Sequence, residues 1–362
     1  MKKHNVAATI LFCGFLFIFA ALYLLLPKSD FSEMEKRYLA ETPELSLENV
    51  FSGEWSKQAE EYLTDHVPGR NLLVGVHAYV ELLAGRQHLK DVWLEEGKLL
   101  EAPVELDEKA IARNMHAINT FAEKLDKTVH VMVVPSAGWA AGVDGYTDSD
   151  SLEAIYAAAG SKVSPVSVEG LYEGKPELYY NTDHHWTSQG AYNGYAAYMQ
   201  AVGREYRSQE DFVVTVAEDF QGSTYSRSAL WLTEAEPLEM WHGSQNLQVT
   251  NGEVEGVHAG VFYEERLDEI DKYTVYLDGN HSMVRIENPE NAGKGKLLVI
   301  RDSYANCLGC FLAESYETVV LVDLRYYKNP ISELYAQEGF DDVLVSYSLS
   351  NFMTDTNLVW LR

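Results

Sequence analysis

Residues 296–312 read KLLVIRDSYANCLGCFL. The run KLLVI (296–300) is short, continuous and apolar, the pattern of a strand buried on both faces of a sheet. SYANCLGCFLAES (303–315) then reads as a helix, TVVLVD (318–323) as a strand, ISELYAQEG (331–339) as a helix and DDVLVSY (341–347) as a further strand. Strand–helix–strand units at this spacing connect by right-handed crossovers into a parallel sheet with helices on both faces. Upstream, VHVMVVPS (129–136) is another buried run, ended by Pro135. Asp107 to Leu125 sets Ile111, Met115, Ile118, Phe121, Ala122 and Leu125 on one stripe of an amphipathic helix. DVWLEEGKLLEA (91–102) alternates around Gly97 and reads as a hairpin. The stretch from about 203 to 292 is less regular, with strand-like FVVTV (212–216), VFYEE (261–265) and KYTVYL (272–277). The expected body is a three-layer α/β/α fold around a mostly parallel sheet.

Val6 to Leu26, VAATILFCGFLFIFAALYLLL, holds about 21 residues without a charge, the length a helix needs to cross a bilayer. Lys2 and Lys3 precede it, whereas Lys28 is followed by Asp30, Glu33 and Glu35. The positive flank predicts an uncleaved single-pass anchor with the N-terminus in the cytoplasm and the body outside. The rival is a cleaved signal peptide, which needs small residues after the apolar run; here it ends LYLLLPKSD. Cys13 has no small residue before it, which argues against a lipid-modified cysteine. Trp55 to Leu83 shows helical spacing broken at DHVPGR, a turn with Pro68 and Gly69. The chain therefore divides into a cytoplasmic stub and transmembrane anchor (1–27), a juxtamembrane helical segment (28–90) and one large α/β domain (91–362).

The 362 residues are 46% hydrophobic, enough for a packed core, and carry a formal net charge of −27. So acidic a surface repels nucleic acid and anionic lipid headgroups. Twenty-three Tyr and seven Trp offer faces for sugar rings, although most such residues are core. Three cysteines make no disulfide framework; Cys307 and Cys310 form one C-x-x-C, read either as a redox pair or as two small residues packed inside a helix.

A second informative stretch is TDHHWTSQGAY (182–192). As a metal site it is poor, because adjacent histidines diverge and the other histidines show no H-x-x-H spacing. Asp183 and His185, two apart in an extended segment, leave the backbone on one side. A turn can lay the carboxylate on the ring Nδ1–H, leaving Nε2 as a base. Trp186 would wall the ring, and Thr187 or Ser188 would cap the helix that follows. A base needs a nucleophile, and Ser303 stands at the strand–helix junction, where free backbone N–H groups can hold an oxyanion. Ser303 or Asp302 as a plain N-cap, and DHH as a structural turn, are the alternatives.

At these residues the sequence resembles the DHHW family, SGNH-hydrolase-like proteins related to the alginate O-acetylation proteins. EKRYLAETPELS…YLTDHVPGR, FQGSTYS (220–226) and VDLRYY (322–327) fit the same resemblance. It implies an SGNH-like fold with Asp183 as orienter, His185 as base and Ser303 as nucleophile; His184 has no role. Arg301 departs from the pattern, standing where a glycine precedes Asp-Ser; it removes backbone freedom and adds a cation. Gly279 and Asn280 in LDGNHS are the best match to the remaining oxyanion blocks, with a plain turn as the alternative reading. The expected activity is O-acetyl transfer or ester hydrolysis on a cell-envelope or exported polysaccharide, without cofactor or metal. The resemblance implies a multispanning membrane acyltransferase as acetyl donor. The competing class is a non-catalytic SGNH-like scaffold or glycan-binding protein.

Overall fold

Successive side chains along each central strand feed two separate cores in this computed structural model, which describes residues 2–32, 34–35, 37–89, 91–252 and 254–361. Glu33 of the acidic flank, Lys36 of the EKRYLAETPELS pattern and the side chains of residues 2–5, Lys2 and Lys3 among them, lie outside the described residues. Contacts divide the chain into two units, Met1–Leu89 with Ser226–Leu232, and Lys90–Tyr225 with Thr233–Arg362.

The larger unit is built on strands β1 (Val129–Val134), β2 (Val163–Pro165), β3 (Gln248–Asn251), β4 (His258–Ala259), β5 (Met283–Glu287), β6 (Lys296–Arg301), β7 (Thr318–Val322) and β8 (Asp342–Ser348). Among the described residues they form one eight-stranded sheet in the order β4-β3-β5-β7-β6-β8-β1-β2. The pairs from β7 to β2 are parallel, and β5, β3 and β4 extend the sheet antiparallel.

On β6, Leu297 and Val299 point to one face, where they meet helices α2 (Ser188–Ala201) and α3 (Ala305–Leu312). Leu298 and Ile300 point to the other, against α1 (Glu108–Leu125), α4 (Ile331–Glu338) and α5 (Leu349–Thr354). All four are fully buried, each stabilising the fold by about 1.5–3 kcal/mol. This is the three-layer α/β/α body that the hydrophobic runs imply. Asp107 caps α1 through the N–H groups of Lys109 and Ala110. The hairpin Val92–Glu95/Lys98–Glu101 turns at Glu96 and Gly97, both with positive φ.

The irregular stretch departs from expectation. KYTVYL is no strand: Lys272–Val275 is a 3-10 turn, and Leu277, Asp278 and Gly279 follow with φ of 58°, 63° and 79°, which no strand accommodates. VFYEE touches Tyr276 by one bridge at Phe262 and then enters a 3-10 turn at Glu264–Asp268. FVVTV does belong to a strand, Val213–Phe220, but pairs with Glu236–His242 outside the main sheet.

In the smaller unit, Lys2–Leu25 is one N-terminal apolar helix; its Val6–Leu25 segment has mean hydropathy 2.5 and is unburied. Helices Glu54–Asp65 and Arg70–Leu83 flank the turn at Pro68 and Gly69. Asp65 accepts from Arg37 Nη1 (2.9 Å), Arg37 Nη2 and the Ala40 N–H (2.9 Å), and Glu35 pairs with Arg70 (2.7 Å). The EKRYLA and TDHVPGR stretches are thus joined by charge.

Candidate active site

The chain leaves β6 at Arg301 and must turn into α3. Asp302 fixes that turn: its carboxylate accepts from the Tyr304 N–H (3.0 Å) and from Ser348 N, Ser348 Oγ and Asn351 Nδ2, each at 2.8 Å. The N-cap of α3 is Tyr304, without a side-chain cap bond, so the Ser303 hydroxyl is not spent on capping. Ser303 Oγ lies 2.8 Å from His185 Nε2. Its own N–H has no hydrogen-bond partner among the described residues.

The histidine arrives on a tight loop. Thr187 N–H donates to Leu178 O (2.8 Å) and Tyr180 N–H to His185 O (3.2 Å), which closes residues 178–187 on themselves. Asp183 sits inside the bend: Oδ1 accepts from His185 N–H (2.9 Å) and Nδ1 (2.5 Å), and Oδ2 from Ser223 N–H (2.6 Å). With Nδ1–H committed to the carboxylate, Nε2 is left to accept from Ser303. Two further bonds tie this loop to the serine turn: Trp186 Nε1–H donates to Tyr304 O (3.1 Å), and the Tyr304 hydroxyl donates to His184 O. Thr187 caps α2 by accepting from Gly190 N–H (3.2 Å). Gly190 and Gly194 let that helix press on the loop; a Cβ would stand 2.5 Å from Leu178 O at the first and 3.0 Å from the Trp186 ring at the second.

Two expectations about neighbours are corrected. The wall against the His185 ring is Tyr273, stacked at 3.8 Å and 7°, rather than Trp186. His184 does not diverge; the bend brings its ring to 3.8 Å from that of His185. Donor atoms of Asp183, His184 and His185 consequently fall within 4.8 Å of one another. To bind an ion they would have to surrender existing bonds, since His184 Nδ1 meets Ser223 Oγ (2.5 Å) and both His185 nitrogens are engaged.

Among the oxyanion candidates, Gly279 is buried and its N–H already donates to Tyr276 O (3.1 Å), leaving no hydrogen for a substrate. Asn280 is exposed. Its Oδ1 accepts from Arg301 Nη1 (2.7 Å) and Asn306 Nδ2 (3.1 Å), while its Nδ2 makes no bond among the described residues. Arg301 adds no free cation: it is fully buried, 3.8 Å from Asp323, and burial makes it a weaker base than usual. Cys307 and Cys310 are buried and unpaired; burial pushes the Cys307 thiol up to about 12 and raises Cys310 as well, so neither supplies a thiolate.

Sequence reasoning missed Tyr273, Ser223, Asn306 and Glu236. The last receives the Asn181 N–H (2.7 Å) and both the N–H and hydroxyl of Thr182 (2.6 Å each), pinning the residues just before Asp183; burial raises its carboxyl.

The DHHW family profile, described as DHHW protein, matches residues 146–322, a span holding both the Asp183–His185 loop and Ser303. The chain carries a DHHW-family segment. No curated protein matches the chain. Among solved structures, a DHHW family protein from Eubacterium siraeum DSM 15702 is 21% identical, with TM-score 0.64, over 75% of this chain and 96% of that one. Bacillus cereus PatB1, solved with a sulfonyl adduct, is 20% identical with TM-score 0.63, over 75% and 97%. The O-acetyltransferase domain of Pseudomonas putida AlgJ is more distant, at 12% identity and TM-score 0.44, over 75% and 95%. The first two share this chain's fold.

Proposed function

We propose that this DHHW chain is a membrane-anchored, extracytoplasmic serine acyltransferase or esterase that handles O-acetyl groups of a cell-envelope or exported polysaccharide. The observation that carries it is the alignment of Ser303 Oγ 2.8 Å from His185 Nε2, with Asp183 2.5 Å behind Nδ1. Residues 118 apart along the chain are brought to hydrogen-bond reach by loops that do little else with those atoms.

As the Ser303 Oγ–carbon bond forms to an acetyl carbonyl, the hydroxyl proton passes to His185 Nε2. Asp183 stabilises the imidazolium, and the Ser303 N–H with Asn280 Nδ2 meets the oxyanion. Collapse breaks the bond to the donor's oxygen or sulfur, which leaves with the proton from His185. A sugar hydroxyl then gives its proton to His185 and attacks the acetyl-serine; the bond to Ser303 Oγ breaks and the serine takes that proton back from His185, while water in place of the sugar yields acetate. A separate multispanning membrane acyltransferase would deliver the acetyl group. The helix Val6–Leu25 would hold the enzyme at the outer face, and N-terminal sequencing of the membrane-bound protein separates an uncleaved anchor from a processed signal peptide.

One observation favours a second reading, the non-catalytic glycan-binding scaffold. The Gly279 N–H, one of the expected oxyanion donors, is already spent on Tyr276 O (3.1 Å). The test is acetyl release from a chromogenic acetyl ester by the full chain in detergent, wild type against Ser303→Ala. Loss in the variant supports catalysis; equal rates overturn it, and glycan binding without covalent labelling by a sulfonyl fluoride supports the scaffold.

A further inference from the structure

Asn280 is delivered by an unusual backbone. Leu277, Asp278 and Gly279 are left-handed in succession, with φ of 58°, 63° and 79°. For leucine and aspartate this conformation is disfavoured, and it persists only where surroundings enforce it. Leu277 is fully buried, and the Asp278 carboxylate is gripped by Arg266 Nε (2.6 Å) and His281 Nε2 (2.9 Å). At Gly279 a Cβ would lie 2.9 Å from Thr274 Cγ2.

The amide at the end of this turn has one oxygen and one nitrogen to present. Arginine has donors and no acceptor, so the atom facing Arg301 Nη1 at 2.7 Å must be the Asn280 oxygen. Asn306 Nδ2, one helical turn after Ser303, adds a second donor to the same oxygen at 3.1 Å. A flipped amide would set its own N–H groups against both. The nitrogen is thereby left without a bond among the described residues, at an exposed position, on a side chain tied to residues two before and three after the serine. Arg301 Nε and Asn306 Oδ1 are buried without partners among the described residues, so these two side chains are held here although their own hydrogen-bonding capacity is incompletely met.

We propose that Arg301 and Asn306 are positioning residues that orient the Asn280 amide, so that Nδ2–H2 is presented as the second oxyanion donor beside the Ser303 N–H. The arginine in place of glycine before Asp-Ser is then part of the oxyanion apparatus, acting through Asn280. The inference rests on the serine acyl-transfer reading above.

The experiment is a double-mutant cycle on the full chain, following acetyl-ester turnover. Asn280→Ala lowers kcat by about 10²- to 10³-fold with KM little changed, because the donor acts on charge that develops in the transition state. Arg301→Met and Asn306→Leu lower kcat by roughly tenfold or more, and in the Asn280→Ala background each costs less than about twofold further, since their object is gone. A full additional loss in that background overturns the proposal, because it shows that they act elsewhere. If Arg301→Met does not fold, Asn306→Leu carries the cycle with the Arg301–Asp323 pair intact. Asn280→Asp supplies an independent arm: it keeps an acceptor for Arg301 and holds the melting temperature, yet replaces the free donor by an oxygen, so kcat falls as far as in the alanine variant. Wild-type kcat in Asn280→Asp would overturn the proposal. A wild type with no Ser303-dependent turnover or labelling sinks the acyl-transfer reading instead, which keeps the two failures distinct.

Discussion

Asp183→Asn is the sharpest test of how the loop sets up the base. Three bonds to the carboxylate are donated to it: His185 N–H and Nδ1–H on Oδ1, Ser223 N–H on Oδ2. An asparagine must point its NH2 at one of these donor groups. Turned toward Ser223 it abandons one N–H; turned toward His185 it opposes two, so the oxygen stays with the histidine and the tautomer survives. What disappears is the negative charge behind the imidazolium. Two unit charges about 4 Å apart attract by about 4 kcal/mol at an effective dielectric constant of 20. At 1.36 kcal/mol per decade, kcat should fall by about 10³-fold. The stranded Ser223 N–H adds a separate destabilisation of about 1–3 kcal/mol. Acetyl-ester turnover gives the first quantity, and urea unfolding followed by tryptophan fluorescence gives the second. A loss of less than about tenfold in turnover, with Ser303→Ala inactive, would refute the claim that Asp183 serves the imidazolium.

Asp302→Ala strands four donors at the end of β6, and unfolding free energy should drop by roughly 3 kcal/mol or more; a drop below about 1 kcal/mol would mean that the turn is held by other means. Gly194→Ala forces a methyl 3.0 Å from the Trp186 ring and 3.2 Å from Tyr172 Oη, costing about 1–3 kcal/mol of stability and, through Trp186, loosening the serine turn; unchanged stability and turnover would show that the contact relaxes freely. The buried thiols predict a pH effect of definite sign. Folding raises both, Cys307 to about 12, so the unfolded chain loses their protons first. Their contribution is complete below the ordinary thiol range near 8.5 and is lost as pH rises toward 12, at about 1.4 kcal/mol per pH unit for each thiol. Cys307→Ser should flatten that decline, and iodoacetamide at pH 8 should leave Cys307 and Cys310 unmodified in the folded protein.

Local pattern carried much of this molecule, and it failed where partners are remote. KLLVI, TVVLVD and DDVLVSY are legible because burial on both faces leaves no alternative to a continuous apolar run. The Asp183–His185 contact is legible because residues two apart need only a bend. By contrast, nothing in KYTVYL announces that Tyr273 stacks on a histidine 88 positions earlier, nor that the backbone after it is left-handed. Arg301 misled for the same reason. Beside a serine it reads as a charge added to the site, yet the sheet carries its guanidinium inward, to Asn280 and Asp323. The expected divergence of His184 and His185 assumed extended backbone, and the bend that makes the Asp183 contact also cancels that divergence.

The placement of Ser303 follows from connectivity more than from any motif. β6 is followed by α3 on one face of the sheet, whereas its neighbours β7 and β8 are followed by α4 and α5 on the other. Chains leaving adjacent strands toward opposite faces open a crevice at their carboxyl ends, and β6 has such a divergence on both sides. Asp302 bridges the gap toward β8 through Ser348 and Asn351, and the Arg301–Asp323 approach spans it toward β7. With both flanks braced by Arg301 and Asp302, the residue that follows them is free of structural duty. A serine there keeps an unspent hydroxyl and an unspent N–H, which is the pairing acyl transfer needs from one residue. Moving the serine one position either way would place it on a buried bridging residue, so register at the end of β6 determines whether chemistry at this crevice is available at all.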